Sequence, residues 1–96
     1  MTLEELRRSS RPQILRLAAS YGARNVRVFG STARGDNSAA SDVDLLVDLD
    51  PDRTLMDLGG LLIELQEMLH VRVDVATERM LRPMVRDQAL REAVQL

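Results

Sequence analysis

Ninety-six residues suit a single domain, 1–96, whose core buries roughly 60–65% of the unfolded surface, and they leave no length for a second, substrate-selecting domain. Apolar residues make up 45% and charged residues 29% of the chain, with no cysteine and one histidine, which excludes a disulfide framework, a thiolate or multi-histidine metal site and a cysteine nucleophile. The net charge of −2 hides an uneven distribution: all thirteen basic residues are arginine, residues 1–35 sum to +5, residues 36–57 to −6 and residues 58–96 to −1.

Without lysine there is neither a Walker A loop nor Schiff-base chemistry. The acidic start and the lack of any apolar run of membrane length give no signal peptide or anchor, so the expected compartment is the cytoplasm.

In chain order, Thr2 is a plausible N-cap for one short helical turn carrying Leu3 and Leu6. Pro12 suits a first helical turn, and Ile14, Leu15, Leu17, Ala18 and Tyr21 recur at helical spacing up to Gly22, which predicts a helix over 11–21. Asn25 to Phe29 alternates as a strand entering Gly30-Ser31. Residues 36–41 have loop chemistry. Val43 to Leu49 reads as a second strand, and Thr54 caps a helix with Leu55, Leu58, Leu61, Leu62, Leu65 and Leu69 as apolar positions. Gly59-Gly60 within it implies close packing against the sheet. Val71 to Ala76 predicts a third strand, Pro83 to Arg91 a helix, and Val94–Leu96 a short final strand. The expected class is α/β (α+β): a small mixed sheet flanked by helices, with a crossover from the second strand to the third.

Three features carry chemistry. Gly30-Ser31 ends a strand and opens a turn or helix start, so main-chain N–H groups and the Ser31 hydroxyl can face an anion. Asp42 and Asp44, at i and i+2, lie on one face of a strand about 6.6 Å apart and make a seat for a hard divalent cation. Asp74 stands in an otherwise apolar strand, where an unpaired charge is expensive, and is expected to have a partner. A phosphate cradle beside three aspartates is what metal-assisted phosphoryl or nucleotidyl transfer requires. Arg34, on the cradle's own turn, can neutralise charge on a polyphosphate leaving group.

Gly30-Ser31, the ten residues to Asp42-Val43-Asp44-Leu45, and the later Val73-Asp74-Val75 resemble the signature of the DNA polymerase beta-type nucleotidyltransferases. The string from Phe29 to Gly35 with Ser41 to Val47 is similar to their minimal branch, the MNT proteins, including the MntA-like antitoxins of HEPN/MNT pairs. The resemblance implies a polymerase beta-like fold, ATP or another nucleoside triphosphate as substrate, and two Mg²⁺ ions. By position, it implies that Gly30 and Ser31 bind the triphosphate with Arg34 as a further contact. Asp42 and Asp44 would hold both metals, and Asp74 would hold the catalytic metal and help activate the acceptor hydroxyl. It also implies a HEPN toxin as partner, in a possible hetero-oligomer, with AMP passed to a hydroxyl, expected to be a toxin tyrosine.

Plainer readings stand beside these. Asp48, Asp50 and Asp52 read as solvated, Tyr21 and Phe29 as packing residues, and His70 as a loop residue. Asp74 has Arg72 as an alternative structural partner. An antitoxin that acts by contact alone is the alternative function. Direct nucleic-acid binding is disfavoured by the acidic balance and by only two aromatic residues.

Overall fold

A computed structural model describes every residue except Asn37, Ala39 and Ala40, so the loop expected there lies in part outside the described residues. Helix α1 (Leu3–Glu5) is capped by Thr2, whose hydroxyl accepts the Glu5 N–H at 3.1 Å. It does not end as a separate short turn before the helix expected over 11–21. A π-helical turn over Leu6–Ser10 carries it into α2 (Arg11–Ser20). Leu6 and Ile14, both fully buried, lie on either side of this wider turn and reach the same core.

Strand β1 (Ala23–Phe29) begins two residues earlier than expected and is followed by α3 (Gly30–Arg34) and β2 (Val43–Leu49). Helix α4 (Leu55–Leu69) leads to β3 (Val73–Ala76), then a 3-10 turn over Glu78–Met80, α5 (Pro83–Glu92) and β4 (Val94–Gln95). The sheet order is β3-β2-β1-β4, with β2 and β3 parallel and the other two pairings antiparallel. The mixed sheet is thus the one expected, with α4 as the crossover between the parallel strands.

Period-two geometry gives the sheet two unlike faces. Val28, Val43, Leu45, Val47, Val73 and Val75 point to one face and pack with Ile14, Ala18, Leu58, Leu61, Leu65 and Leu69 of α2 and α4. Burying each such side chain contributes about 1.5–3 kcal/mol. The opposite face carries Arg27, Phe29, Asp44, Leu46, Asp48, Asp74 and Ala76, because Phe29, Asp44 and Asp74 are register partners across three strands, as are Arg27, Leu46 and Ala76.

Local chemistry holds α4 in place. Thr54 and Asp57 form a capping box, the Thr54 N–H donating to the Asp57 carboxylate at 2.9 Å. Gly60 does not pack on the sheet. A Cβ there would come within 2.7 Å of the Tyr21 ring, whereas Gly59 faces open space. Tyr21 crosses over Gly60 and donates its hydroxyl hydrogen bond to Glu64. At the other end His70 takes a left-handed φ of 56°, ending the helix, and the Gln66 side-chain oxygen accepts the Val73 N–H at 3.1 Å. The third strand consequently starts at Val73, not at the expected Val71. Among the described residues no helix is long and apolar enough to cross a membrane.

Candidate active site

The turn from β1 into α3 is abrupt because Gly30 adopts a left-handed φ of 71°. A side chain there would be strained, and its Cβ would run into the Asp44 carboxylate, lying 3.4 Å even from Asp44 Cγ. Glycine is therefore needed twice, for the turn and for the close approach of main chain to carboxylate. Ser31 and Thr32 follow as the second and third residues of α3, where N–H groups have no partner within the helix. The turn closes at Gly35 (φ 80°), whose N–H bonds the Ser31 carbonyl at 2.9 Å. The Thr32 hydroxyl is buried beneath the turn with no hydrogen-bond partner among the described residues.

The parallel register sets Asp44 directly beside Asp74. Asp44 is half-buried, and that burial, reinforced by the negative charges of Asp74 and Asp42, pushes its carboxyl up to about 6, with Arg34 pulling weakly the other way. Asp74 is exposed on the edge strand β3 and has no ion-pair partner among the described residues. The partner expected for it is not there, because edge-strand exposure leaves its charge to solvent. Arg72 faces Asp42 instead, at 3.8 Å. With Asp42 drawn that way, no three acidic or imidazole side chains among the described residues enclose a common point.

The donor set nonetheless fits a hard cation. Asp44 carries a carboxyl raised first by burial and then by the like charges of Asp74 and Asp42, and a divalent ion is the species that would relieve this.

Arg34 points back from the end of α3. It is fixed by Asp36 (Nε, 3.1 Å) and by both carboxylate oxygens of Glu92 (Nη1, 3.1 and 3.0 Å). Glu92, on α5, was not singled out from the sequence. It lies 58 positions away from Arg34, and no local pattern marks it. A groove of about 360 Å³ runs past Asp44 and Asp74 between Phe29, Val75, Met80, Leu81 and Val85. A shallower depression of about 170 Å³ continues past Gly30, Arg34 and Glu92. Phe29, read as a packing residue, forms a wall of both.

At the far end of the same face, Arg27 is buried and bonds Asp48 at 3.0 Å and Glu78 at 3.7 Å, while Arg24 reaches Asp50 at 3.0 Å. Asp48 and Asp50 are therefore held in ion pairs and are not the freely solvated carboxylates that the sequence suggests.

A strand ending on a glycine-serine turn, beside a parallel pair of strands that align two aspartates, defines the nucleotidyltransferase class. The chain matches the nucleotidyltransferase-domain family over residues 13–96 and belongs to it. Within that family it is one of the minimal, MntA-like protein adenylyltransferases. It is 36% identical to the Methanocaldococcus jannaschii protein MJ0435, named as a candidate protein adenylyltransferase, over 98% of this chain and 97% of that protein. It is 34% identical to the protein adenylyltransferase MntA of Thermococcus cleftensis, over 98% and 95% of the two chains. A solved candidate minimal nucleotidyltransferase superposes with a TM-score of 0.86 at 50% identity, covering 100% of this chain and 97% of the other. A toxin–antitoxin complex crystallised with AMP-PNP shares the fold, with a TM-score of 0.76 at 20% identity over 90% of this chain and 71% of that one.

Proposed function

We propose that this chain transfers AMP from ATP, with Mg²⁺, to a hydroxyl of a partner HEPN toxin, a tyrosine by the family resemblance, and so acts as its antitoxin in the cytoplasm. The observation that carries the chemistry is the pairing of Asp44 with Asp74 beside Gly30, which sets carboxylates against the turn that opens α3, where the first N–H groups have no partner within the helix. The chain works here as a single domain, 1–96, and its acceptor comes on another protein.

In the reaction the acceptor oxygen bonds to the α-phosphorus, the bond from that phosphorus to the bridging oxygen breaks, and pyrophosphate leaves with the displaced electron pair. Asp42, Asp44 and Asp74 would hold Mg²⁺, which when bound neutralises phosphate charge and lowers the pKa of the acceptor hydroxyl. Gly30 lets the triphosphate approach the main chain, and Ser31 donates its N–H and hydroxyl to it. Arg34 takes charge that develops on the pyrophosphate. Asp74, exposed and bordering the groove, is positioned to receive the acceptor proton.

The experiment is to incubate the protein with labelled ATP, Mg²⁺ and the co-encoded toxin. The toxin should carry label, and the Asp42→Ala/Asp44→Ala protein should leave it unlabelled. Equal labelling by the double variant would end the mechanism. Full protection of cells by that unlabelling variant would instead assign the antitoxin effect to contact alone.

A further inference from the structure

Glu92 holds the far end of the glycine-serine turn from outside it. Its carboxylate accepts the Nη1 hydrogens of Arg34 at 3.0 and 3.1 Å and the Gln88 side-chain amide at 3.0 Å. The Glu92 side chain is 18% exposed, against 41% for Arg34, so the carboxylate is the less exposed member of the pair. The Gln88 amide first, and Arg34 after it, hold the Glu92 carboxyl below its ordinary value, against an opposing effect of burial second only to the Gln88 bond.

The guanidinium is then divided by function. Its Nε goes to Asp36 and its Nη1 to Glu92, while Nη2 makes no bond among the described residues. A planar fork held on two sides presents its third side in one direction. Arg34 is the last residue of α3, so the carboxylate bound to it also ties the end of the turn to α5.

We propose that Glu92 is the positioning residue for nucleotide binding. It holds Arg34 so that its Nη2 edge meets a phosphate of the triphosphate, and it acts through Arg34 without touching substrate. The inference rests on the reading of Gly30, Ser31 and Arg34 as the triphosphate side of the site. It also makes α5, which carries none of the family's motif residues, part of the binding machinery.

Calorimetric titration of ATP and of AMP, each with Mg²⁺, into the full chain tests it. Glu92→Gln keeps the shape but removes the charge, and is expected to weaken ATP about tenfold, the value of one charge-assisted contact. AMP affinity should change less than about twofold, because AMP lacks the outer phosphates. In an Arg34→Ala background, Glu92→Gln should have no further effect on ATP. In turnover the loss should appear in kcat/KM for ATP and be absent in the Arg34→Ala background.

Gln88→Ala, which removes one holder of the carboxylate, should shift ATP affinity in the same direction by a smaller factor. It supplies the answer if Glu92→Gln does not fold. Unchanged or tighter ATP binding by the folded Glu92→Gln protein overturns the inference, as does an equal loss for ATP and AMP. If the wild-type chain binds no nucleotide, both this inference and the function it rests on fall. If the wild type binds and the variant matches it, only this one does.

Discussion

One face of the sheet carries two acidic clusters that are treated in opposite ways. At one end, Asp48 and Glu78 close on the buried guanidinium of Arg27, and Asp50 closes on Arg24. At the other, Asp44 and Asp74 lie side by side with no arginine bonded to either among the described residues, and the Asp44 carboxyl rises to about 6. The chain has thirteen arginines, so the difference reflects placement, not supply. The first cluster holds the fold together and the second is left with unbalanced charge. A protein keeps such a cluster when something else is to bind it.

Breaking each end should therefore have opposite consequences. The largest effect is expected on activity: Asp44→Asn should lower transfer of label to the toxin by on the order of a thousandfold, since it removes a charge on which the phosphate chemistry depends. Next comes Arg27→Ala, which leaves Asp48 and Glu78 without their cation and should cost about 3 kcal/mol of stability, read as a lower denaturation midpoint in urea. A midpoint unchanged by that substitution would erase the distinction between the two ends.

The pH dependence sharpens it further. Asp44 has its carboxyl raised in the folded protein, so the stability that its protonated form contributes is complete below the ordinary value near 3.8 and is lost as pH rises through about 6. In chelator, the wild type should melt higher at pH 5 than at pH 7.5. Asp44→Asn should flatten that slope and raise the melting temperature at pH 7.5. The smallest effect belongs to the buried Thr32 hydroxyl, which has no partner among the described residues. Thr32→Val should stabilise the fold by about 1 kcal/mol, and a loss of stability would show that the hydroxyl has a partner in solution.

What the sequence shows of this site is what short-range geometry controls. The bounds of β2 and the Thr54 cap follow from period-two alternation and capping chemistry, readable within a few residues, whereas the register that sets Asp44 across from Asp74 is seen only in the sheet. Pairings over long separations were not readable. Nothing near Arg34 points to Glu92, nothing near Asp48 points to Arg27, and Gly60 reads as a sheet contact until Tyr21 is seen lying over it. Asp74 illustrates the opposite error, since an aspartate in an apolar run looks buried until its strand proves to be at an edge. Arg34, read from the sequence as a phosphate contact, is found already held on two sides.

The parallel docking of β3 on β2, which the Gln66–Val73 bond anchors to α4, is expected to come late in folding. Asp44 meets Asp74 only after α4 has formed and β3 has docked in parallel, a contact between distant parts of the chain that forms slowly compared with local helix and turn formation. A slip of one residue there would turn Asp74 into the core and Val73 or Val75 out toward the groove. The acidic pair is thus expected among the last features the folding chain acquires, since the β1–β2 pairing sets Asp44 against the glycine-serine turn while Asp74 arrives only with β3.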